Sequence, residues 1–197
     1  MKDILNLPYI ISAKYRLILT QIWYKHFFKS IGKHSRILKP LRLVNTRYIT
    51  LGNNVYIDKY VYMVTDSTPC YTANLVIGDG TKIGNYNHIA CVNEVIIGKN
   101  VLTADWVYIS DNYHAYNDIE IPIKNQGVAS KGKTSIGDNS WLGDKVSVIS
   151  CSIGRNCIIG ANSVVLHDID DFCIAVGSPA KVVKKYNHST KMWEKVK

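Results

Sequence analysis

The chain has 197 residues, 47% of them hydrophobic, which is enough for one ordinary domain with a sizeable core. Its five scattered cysteines are odd in number and never spaced as CxxC, which suggests neither a disulfide framework nor a zinc knuckle, so we expect small buried fillers in a reducing compartment. The net charge of +9 is uneven, because residues 1–42 carry +8, residues 43–180 carry −4 and residues 181–197 carry +5. No nucleic-acid motif accompanies these basic ends, so no nucleic-acid partner is expected.

The first predicted element is a basic N-terminal helical segment over residues 1–42, with helical character over 9–36. At about 100° per residue, the side chains of 24–36 separate onto two sides. The apolar and the basic sets are Tyr24, Phe27, Phe28 and Ile31, and Lys25, Lys29, Lys33 and Arg36. One interpretation is a cap on the open end of the repeats that follow, and a compatible one is peripheral contact with the anionic inner membrane.

The longest charge-free apolar run in this segment is LILTQIWY, residues 17–24. A bilayer requires about 20 apolar residues, so this run is too short to span one. No small-residue cleavage site follows the run, and no signal peptide is expected. The sequence therefore predicts a cytoplasmic protein, peripheral at the inner membrane if the N-terminal helix binds lipid.

A six-residue repeat begins next and continues through most of the chain. Examples are IGDGTK and IGNYNH from residue 77, IGKNVL, TADWVY and ISDNYH from 97, and IGDNSW and LGDKVS from 136. The first place is almost always Ile, Leu or Val, and the second is usually Gly or another small residue. This period suits a short strand with an inward aliphatic residue, followed by a corner. Three such sides close one coil of a solenoid, and stacked coils bury a continuous aliphatic column.

These hexads resemble those of the hexapeptide-repeat acyltransferases, and the match covers roughly residues 43–184. The resemblance implies a mainly β fold, a left-handed parallel β-helix, which we place at residues 43–180. It also implies a homotrimer whose active sites lie between adjacent β-helices. A basic C-terminal tail is predicted at 181–197.

The six-residue repeat is interrupted at two places. A two-residue slip around 91–95 delays the next hexad to Ile97, and an excursion over 114–135 is punctuated by Pro122, Gly127 and Gly132. Loops that project from a rigid solenoid are natural sites of function. We therefore predict that the loop 114–135 carries the active site.

His114 stands at the mouth of that loop. The stretch SDNYHAYND resembles the corresponding stretch of lipopolysaccharide O-acetyltransferases, and in maltose and galactoside acetyltransferases the catalytic histidine occupies the same kind of position. The resemblance implies that His114 is the catalytic base. A sugar hydroxyl must lose its proton as it attacks a thioester, and a neutral imidazole that accepts it contributes about 10²–10⁴-fold. The alternative is an idle surface histidine.

Four further residues are candidates for orienting His114 or for binding the acceptor. Asp111 lies three residues before His114, where a solvated turn residue would be equally ordinary, and His88 ends a hexad whose side chains could face the same cleft or pack between coils. Asn93 and Glu94 lie in the slipped hexad, near the place where related acetyltransferases hold a polar residue that contacts the acceptor.

Two later segments resemble the part of the family that binds acetyl-CoA, the expected acyl donor. The resemblance implies that the following residues bind it: Trp141, Gly143 and Asp144; Gly160 and Ala161; Pro179; and Lys181 and Lys184 at phosphate-binding positions. Leu166 replaces a hydroxyl residue of the galactoside enzymes. The alternatives are coil packing for Trp141 and a solvated cationic tail for the lysines.

Together these features predict an O-acetyltransferase that acts on a sugar hydroxyl in bacterial surface polysaccharide, with acetyl-CoA and no metal. Within the fold, the alternative is an N-acetyltransferase of a nucleotide-linked amino sugar or an antibiotic O-acetyltransferase. A zinc enzyme such as a γ-type carbonic anhydrase would need three converging imidazoles, and His88 and His114 have no obvious third partner. A non-catalytic scaffold is the remaining alternative.

Overall fold

The computed structural model describes residues 7–196 of the chain. One α-helix, α1, spans Leu7–Ile22, and three single-turn 3₁₀ helices span Tyr24–His26, Thr46–Tyr48 and Ile123–Asn125. None of the described helices is long and apolar enough to cross a membrane.

The remainder is built from short strands. Strands β1 to β12 span, in chain order, Ser30–Ile31, Arg36–Ile37, Arg42–Val44, Ile49–Leu51, Tyr56–Ile57, Tyr62–Thr65, Asn74–Ile77, Lys82–Ile83, His88–Cys91, Glu94–Ile97, Leu102–Thr103 and Tyr108–Ser110. Strands β13 to β23 span Asn112–His114, Val128–Ser130, Thr134–Ile136, Trp141–Leu142, Ser147–Ile149, Ser152–Ile153, Ile158–Ile159, Val164–Val165, Cys173–Gly177, Ala180–Asn187 and Met192–Lys195.

Three sheets form the three sides of a prism, and all their strands pair in parallel except β22 and β23. The first has the order β1-β4-β7-β10-β15-β18, the second has β2-β5-β8-β11-β16-β19-β21-β22-β23, and the third has β20-β17-β12-β9-β6-β3. Each coil contributes one strand to each side, so consecutive coils pair in register, as Ile37 with Ile57 and Ile57 with Ile83. This is the predicted solenoid, and the hexads trace its sides.

The inward hexad position forms the core. Along the second sheet it is occupied by residues with essentially no exposed surface: Ile37, Ile57, Ile83, Thr103, Leu142 and Ile159. Burying an aliphatic side chain of this size contributes roughly 1.5–3 kcal/mol, which makes this column a main source of stability. The corners need the left-handed backbone conformation, and asparagine supplies it at several of them, including Asn54, Asn100 and Asn139.

The N-terminal prediction was wrong beyond His26, because the first coil already begins at Ser30. Ile31 and Gly32 start a hexad, and Phe28 and Ile31 are buried in the core and cannot form an exposed helical face. Helix α1 instead covers the open edge of that coil. The Thr20 hydroxyl accepts a hydrogen bond from the Ile37 N–H, and Gln21 donates to two carbonyls of the coil. The predicted cap is thus present, with different bounds.

Three segments leave the prism. The predicted loop contains the antiparallel hairpin β13–β14, and a second loop over 66–73 was not predicted. The C-terminal segment is no loose tail, because β22 and β23 extend the second sheet as an antiparallel hairpin. The hairpin arises because Gly177 adopts a positive φ of 105° and Pro179 follows it in the tight turn to β22.

Candidate active site

The hairpin that carries His114 is fixed at its base. Strand β12 ends at Ser110, and after Asp111 the chain turns into β13, in which His114 pairs with Val128 of β14. The Ser130 hydroxyl donates to the Asp111 carbonyl at 2.7 Å, and the Thr134 hydroxyl donates to the Ser110 carbonyl at 2.9 Å. His114 therefore stands on an anchored strand end with an exposed side chain.

Asp111 has a different task from the predicted one of orienting His114. Its carboxylate is 0% exposed and accepts hydrogen bonds from the backbone N–H of Val92 at 2.9 Å and of Asn93 at 2.8 Å. The Asn112 amide donates a third bond at 3.0 Å. Asp111 forms no hydrogen bond with His114 within residues 7–196. The slip at 91–95 is the turn whose N–H groups Asp111 binds.

A pocket of about 320 Å³ lies against the third sheet beside this hairpin, and we call it the His114 pocket. It brings together both histidines singled out from the sequence. It is lined by Tyr62, Val64, Asp66, His88, Ala90, Cys91, Val92, Tyr108, Asn112, His114 and Val128.

His88 is held in this pocket by aromatic neighbours. Its ring stacks on Tyr62 at 4.6 Å between centroids and meets Tyr108 edge-on at 5.2 Å. Burial lowers the pKa of His88 below its usual value, so the imidazole is neutral at pH 7. Its Nε2 atom is buried without a hydrogen-bond partner in the described chain. His88 thus combines the two predicted alternatives, because it packs between coils and also faces the cleft.

The cysteine in the pocket is unsuited to nucleophilic chemistry. Burial, with a smaller contribution from the Asp111 charge, raises the pKa of Cys91 to about 12, so the thiol is protonated at neutral pH. Cys151, Cys157 and Cys173 are also buried and free, as expected, whereas Cys70 is exposed. The prediction of buried fillers was wrong for Cys70, because it lies in the projecting loop 66–73.

Asn93 and Glu94 do not line the His114 pocket. Asn93 uses its N–H for Asp111 and its carbonyl for Asn74. Glu94 begins β10 on the first sheet, and its carboxylate pairs with Lys133 at 2.6 Å. The turn at the slip leads Glu94 onto the first sheet, away from this pocket, and the contact of both residues with the acceptor stays a prediction.

A second pocket of about 350 Å³ is also bordered by the hairpin. It is lined by Tyr113, Tyr116, Lys131, Ile149, Ser150, Leu166 and His167. The Ser150 hydroxyl is buried without a hydrogen-bond partner in the described residues, and the backbone of Ser150 adopts a positive φ of 49°. Leu166 gives this pocket an apolar wall at the place where the galactoside enzymes were expected to have a hydroxyl.

Trp141 and Lys184 lie on one outward column of the second sheet. Cross-strand register runs from Trp141 to Ile158, from Ile158 to Ile174 and from Ile174 to Lys184. Trp141 is 47% exposed, so it is not packed away between coils. Neither Lys184 nor Lys181 has an acidic partner within residues 7–196, and both are available to an anionic ligand.

The other predicted donor residues lie at the corner beyond this column. A Cβ on Gly143 would meet the Ala161 backbone nitrogen at 2.7 Å, so coil packing requires this glycine, whereas one on Gly160 would meet the Val176 side chain at 2.7 Å and no backbone atom as closely. The Asp144 carboxylate accepts the Asp105 N–H at 3.1 Å. Pro179 is exposed in the turn between β21 and β22. None of the predicted donor residues lines the His114 pocket.

Tyr62 and Tyr108 were not singled out from the sequence. A signal for them exists, because the segments YVY at 60–62, YNH at 86–88 and WVY at 106–108 occupy equivalent places in successive coils. Because equivalent places in successive coils stack in register, these triplets predict an aromatic column beside His88. No group of three or more His, Cys, Asp or Glu side chains in the described part of the chain is placed to hold a metal ion.

Comparison with known proteins identifies the family. The profile of the bacterial hexapeptide transferases (six repeats) matches residues 133–167. Galactoside O-acetyltransferase of Escherichia coli is 30% identical over 160 residues, which cover 80% of this chain and 73% of that protein. The chain belongs to the bacterial hexapeptide transferase family. Escherichia coli WbbJ, whose name assigns it to O-acetyl transfer in lipopolysaccharide biosynthesis, is another similar member, 36% identical over 61% of this chain and 65% of its own length.

A solved hexapeptide transferase shares the fold. AntD from Bacillus cereus is an N-acyltransferase, and a mutant of it was crystallised in complex with dTDP and coenzyme A. That structure aligns with a TM-score of 0.69 and 22% identity over 88% of this chain and 90% of AntD. The predicted mainly β, left-handed β-helix fold is confirmed. The chain spans only 45–65% of the length of the first curated relatives that it matches.

Proposed function

We propose that this hexapeptide transferase is an O-acetyltransferase that moves acetyl from acetyl-CoA to a hydroxyl of a bacterial surface-polysaccharide sugar, with His114 as the catalytic base. The observation that carries the proposal is the position of His114. It stands at the anchored base of the projecting hairpin and lines a pocket of about 320 Å³. The similarity to galactoside O-acetyltransferase and to WbbJ supports an acetyl donor and a sugar acceptor.

The proposed reaction is a direct transfer. The His114 imidazole removes the proton of the acceptor hydroxyl while its oxygen forms a bond to the thioester carbonyl carbon. The tetrahedral intermediate then collapses, the carbon–sulfur bond breaks, and the leaving thiolate takes the proton from the imidazolium. The products are an acetyl ester and coenzyme A. No covalent acyl-enzyme is needed, in agreement with the protonated Cys91 thiol.

Two residues support His114 in this scheme. Asp111 acts as a positioning residue, because its carboxylate joins the base of the hairpin to the turn at Val92 and Asn93. His88 faces the same pocket as a neutral imidazole, so it can accept or donate a hydrogen bond to an acceptor hydroxyl without adding charge.

The acyl donor fits the column on the second sheet. Trp141 and the isoleucines beside it offer an apolar surface for the pantetheine arm, and Lys184 and Lys181 offer cations for the phosphates. Neither Trp141 nor these lysines line the His114 pocket, which lies against the third sheet. We propose that one subunit supplies His114 and its neighbour in a homotrimer supplies the donor column. A cytoplasmic location, where acetyl-CoA is available, is part of this proposal.

The acceptor distinguishes this proposal from its alternative, acyl transfer to the amine of a nucleotide-linked sugar, for which AntD is a named example with the same fold. The purified chain would be incubated with acetyl-CoA and either de-O-acetylated surface polysaccharide or a nucleotide-linked amino sugar. Mass spectrometry before and after mild base separates the two outcomes, because base removes an ester and leaves an amide. A base-stable acetyl group on the amino sugar alone would replace the proposal with its alternative.

His114→Ala tests the proposed base. We expect kcat to fall by about 10²-fold or more with the KM for acetyl-CoA nearly unchanged, because only proton transfer is lost. His26→Ala is the matched control, since His26 is exposed in the 3₁₀ turn Tyr24–His26 outside the pocket. If His114→Ala retained the turnover of this control, His114 would not be the base.

A further inference from the structure

Helix α1 buries one side and exposes another that is apolar. Thr20, which binds the first coil, is fully buried. On the opposite side stand Ile11, Tyr15, Ile18 and Ile22, each between 57% and 64% exposed. At about 100° per residue these four side chains fall within an arc of about 60°, centred opposite Thr20. They form a continuous row, which we call the α1 stripe.

Two exposed aromatic residues follow the helix in the chain. Trp23 and Phe27 are 58% and 53% exposed, and their ring centroids lie 5.5 Å apart. Neither ring joins the buried core of the solenoid. An exposed apolar row on a helix, with exposed aromatic residues nearby in the chain, is typical of helices that lie in the plane of a membrane interface.

The charge around the α1 stripe is of one sign. Residues 4–57 contain nine Lys and Arg and not a single Asp or Glu. Lys14 lies in the helix beside the stripe, and Lys25 and Lys29 follow it, all with exposed side chains. Lys14, on the flank of the stripe, lies where the headgroups of anionic lipids would be if the stripe faced the acyl chains, and Lys25 and Lys29 add exposed positive charge between the helix and the first coil.

We propose that the α1 stripe binds the surface of an anionic lipid bilayer. A second copy of the chain is the less suitable occupant, because two such ends facing each other would bring like charges together without an acidic counterpart. An anionic headgroup layer provides both the apolar interior and the neutralising charge.

If the α1 stripe faces the bilayer, the distance between the membrane and the His114 pocket follows; this step alone rests on the proposed acetyl transfer. The first coil lies under α1, and the hairpin with His114 leaves the prism after the fourth coil. Because coils stack at about 4.8 Å, the His114 pocket would lie about 15 Å from the end of the prism that faces the membrane. That distance suits an acceptor glycan held at the surface by a lipid anchor.

Vesicle co-sedimentation of the full chain tests the inference. The probes are vesicles of phosphatidylglycerol with phosphatidylcholine and vesicles of phosphatidylcholine alone. We expect binding to the first, weakened by added salt, and a loss of about tenfold or more in the double variant Ile18→Ser/Ile22→Ser. Ile119→Ser, the same substitution at a 93% exposed site on the projecting loop, should bind as the wild type does.

The altered side chains are exposed, so the variants should keep the melting temperature of the wild type. A change in vesicle binding therefore reports on the surface and not on the stability of the fold. Absence of binding to anionic vesicles, or equal binding by the double variant, would overturn the inference. So would self-association that the double variant abolishes while vesicles remain unbound. His114→Ala protein should still bind vesicles, so a failure of the proposed chemistry leaves this result interpretable.

Discussion

Replacing Asp111 with alanine should both destabilise the fold and disable the site. The substitution leaves the N–H groups of Val92 and Asn93 without their acceptor and removes a third bond from Asn112. An unsatisfied buried donor costs about 1–3 kcal/mol, so the two N–H groups together cost about 2–6 kcal/mol. For a chain of this length that lowers Tm by roughly 10 °C. Because the hairpin begins at this residue, we also expect kcat to fall at least tenfold.

Differential scanning calorimetry and steady-state kinetics on Asp111→Ala and Asp111→Asn would check this reasoning. Asparagine keeps one acceptor oxygen, so we expect roughly half the loss of stability and a smaller loss of kcat. The pH dependence of kcat should be the same in the asparagine variant and the wild type, because Asp111 does not contact His114. A shifted pH profile with an unchanged Tm would refute the positioning role and restore the direct role predicted from the sequence.

Two other predictions concern the pocket wall and the coil corners. Because burial lowers the folded-state pKa of His88, the unfolded chain binds the proton more tightly, and stability should decline as pH falls from about 6.5 toward that lowered pKa. Urea unfolding at pH 7.5 and 5.5 should show a smaller decline in His88→Phe, and an equal decline would contradict it. Gly78→Ala would place a Cβ 2.6 Å from the Gly98 backbone and should cost about 3 kcal/mol. Gly127→Ala, which meets open space at a positive φ, should cost only about 1 kcal/mol by the same assay.

The solenoid could be predicted because the pattern within each hexad, an inward aliphatic residue followed by a corner, is local. It requires no information from residues that are distant in the sequence. The N-terminal boundary was wrong where two periods overlap. Tyr24, Phe27, Phe28 and Ile31 fit a helical face, but Ile31 and Gly32 also begin a hexad. The second pattern prevails because Phe28 and Ile31 can then join the core that the later coils extend. The stabilisation from burying these two side chains cannot be predicted from the local periodicity of residues 24–36 alone.

For the candidate site, too, the sequence predicted positions within the repeat but not contacts between coils. His114 was singled out by the interruption of the repeat and by the family resemblance, and His88 by its place at the end of a hexad; both line one pocket against the third sheet. The hydrogen-bond partners of Asp111, the N–H groups of Val92 and Asn93, could not be predicted. They lie one coil earlier, 19 and 18 residues away, at a turn that the sequence shows only as a two-residue slip in the repeat. Glu94 was assigned to the acceptor from the family resemblance, and the ion pair that its carboxylate makes with Lys133 could not be predicted because the direction of that turn decides which side it faces.

Two rows of corners in the solenoid use different residues for the left-handed backbone conformation. Four successive corners between the first and second sheets use Asn54, Gly80, Asn100 and Asn139 for the left-handed conformation, and His34 and Phe172 adopt it nearer the two ends of this row. The corners leading into the third sheet place Tyr60, Tyr86 and Trp106 in that conformation instead, which costs roughly 1–2 kcal/mol per bulky residue. Their rings stack at 5.0 and 4.3 Å, and such contacts return only about 0.5–1.5 kcal/mol each. Stability alone therefore gives no reason to prefer them to asparagine. Each lies two residues before Tyr62, His88 or Tyr108, so these three aromatic corners precede three residues that line the His114 pocket, whereas the later corners of the same row use Lys145 and Asn162.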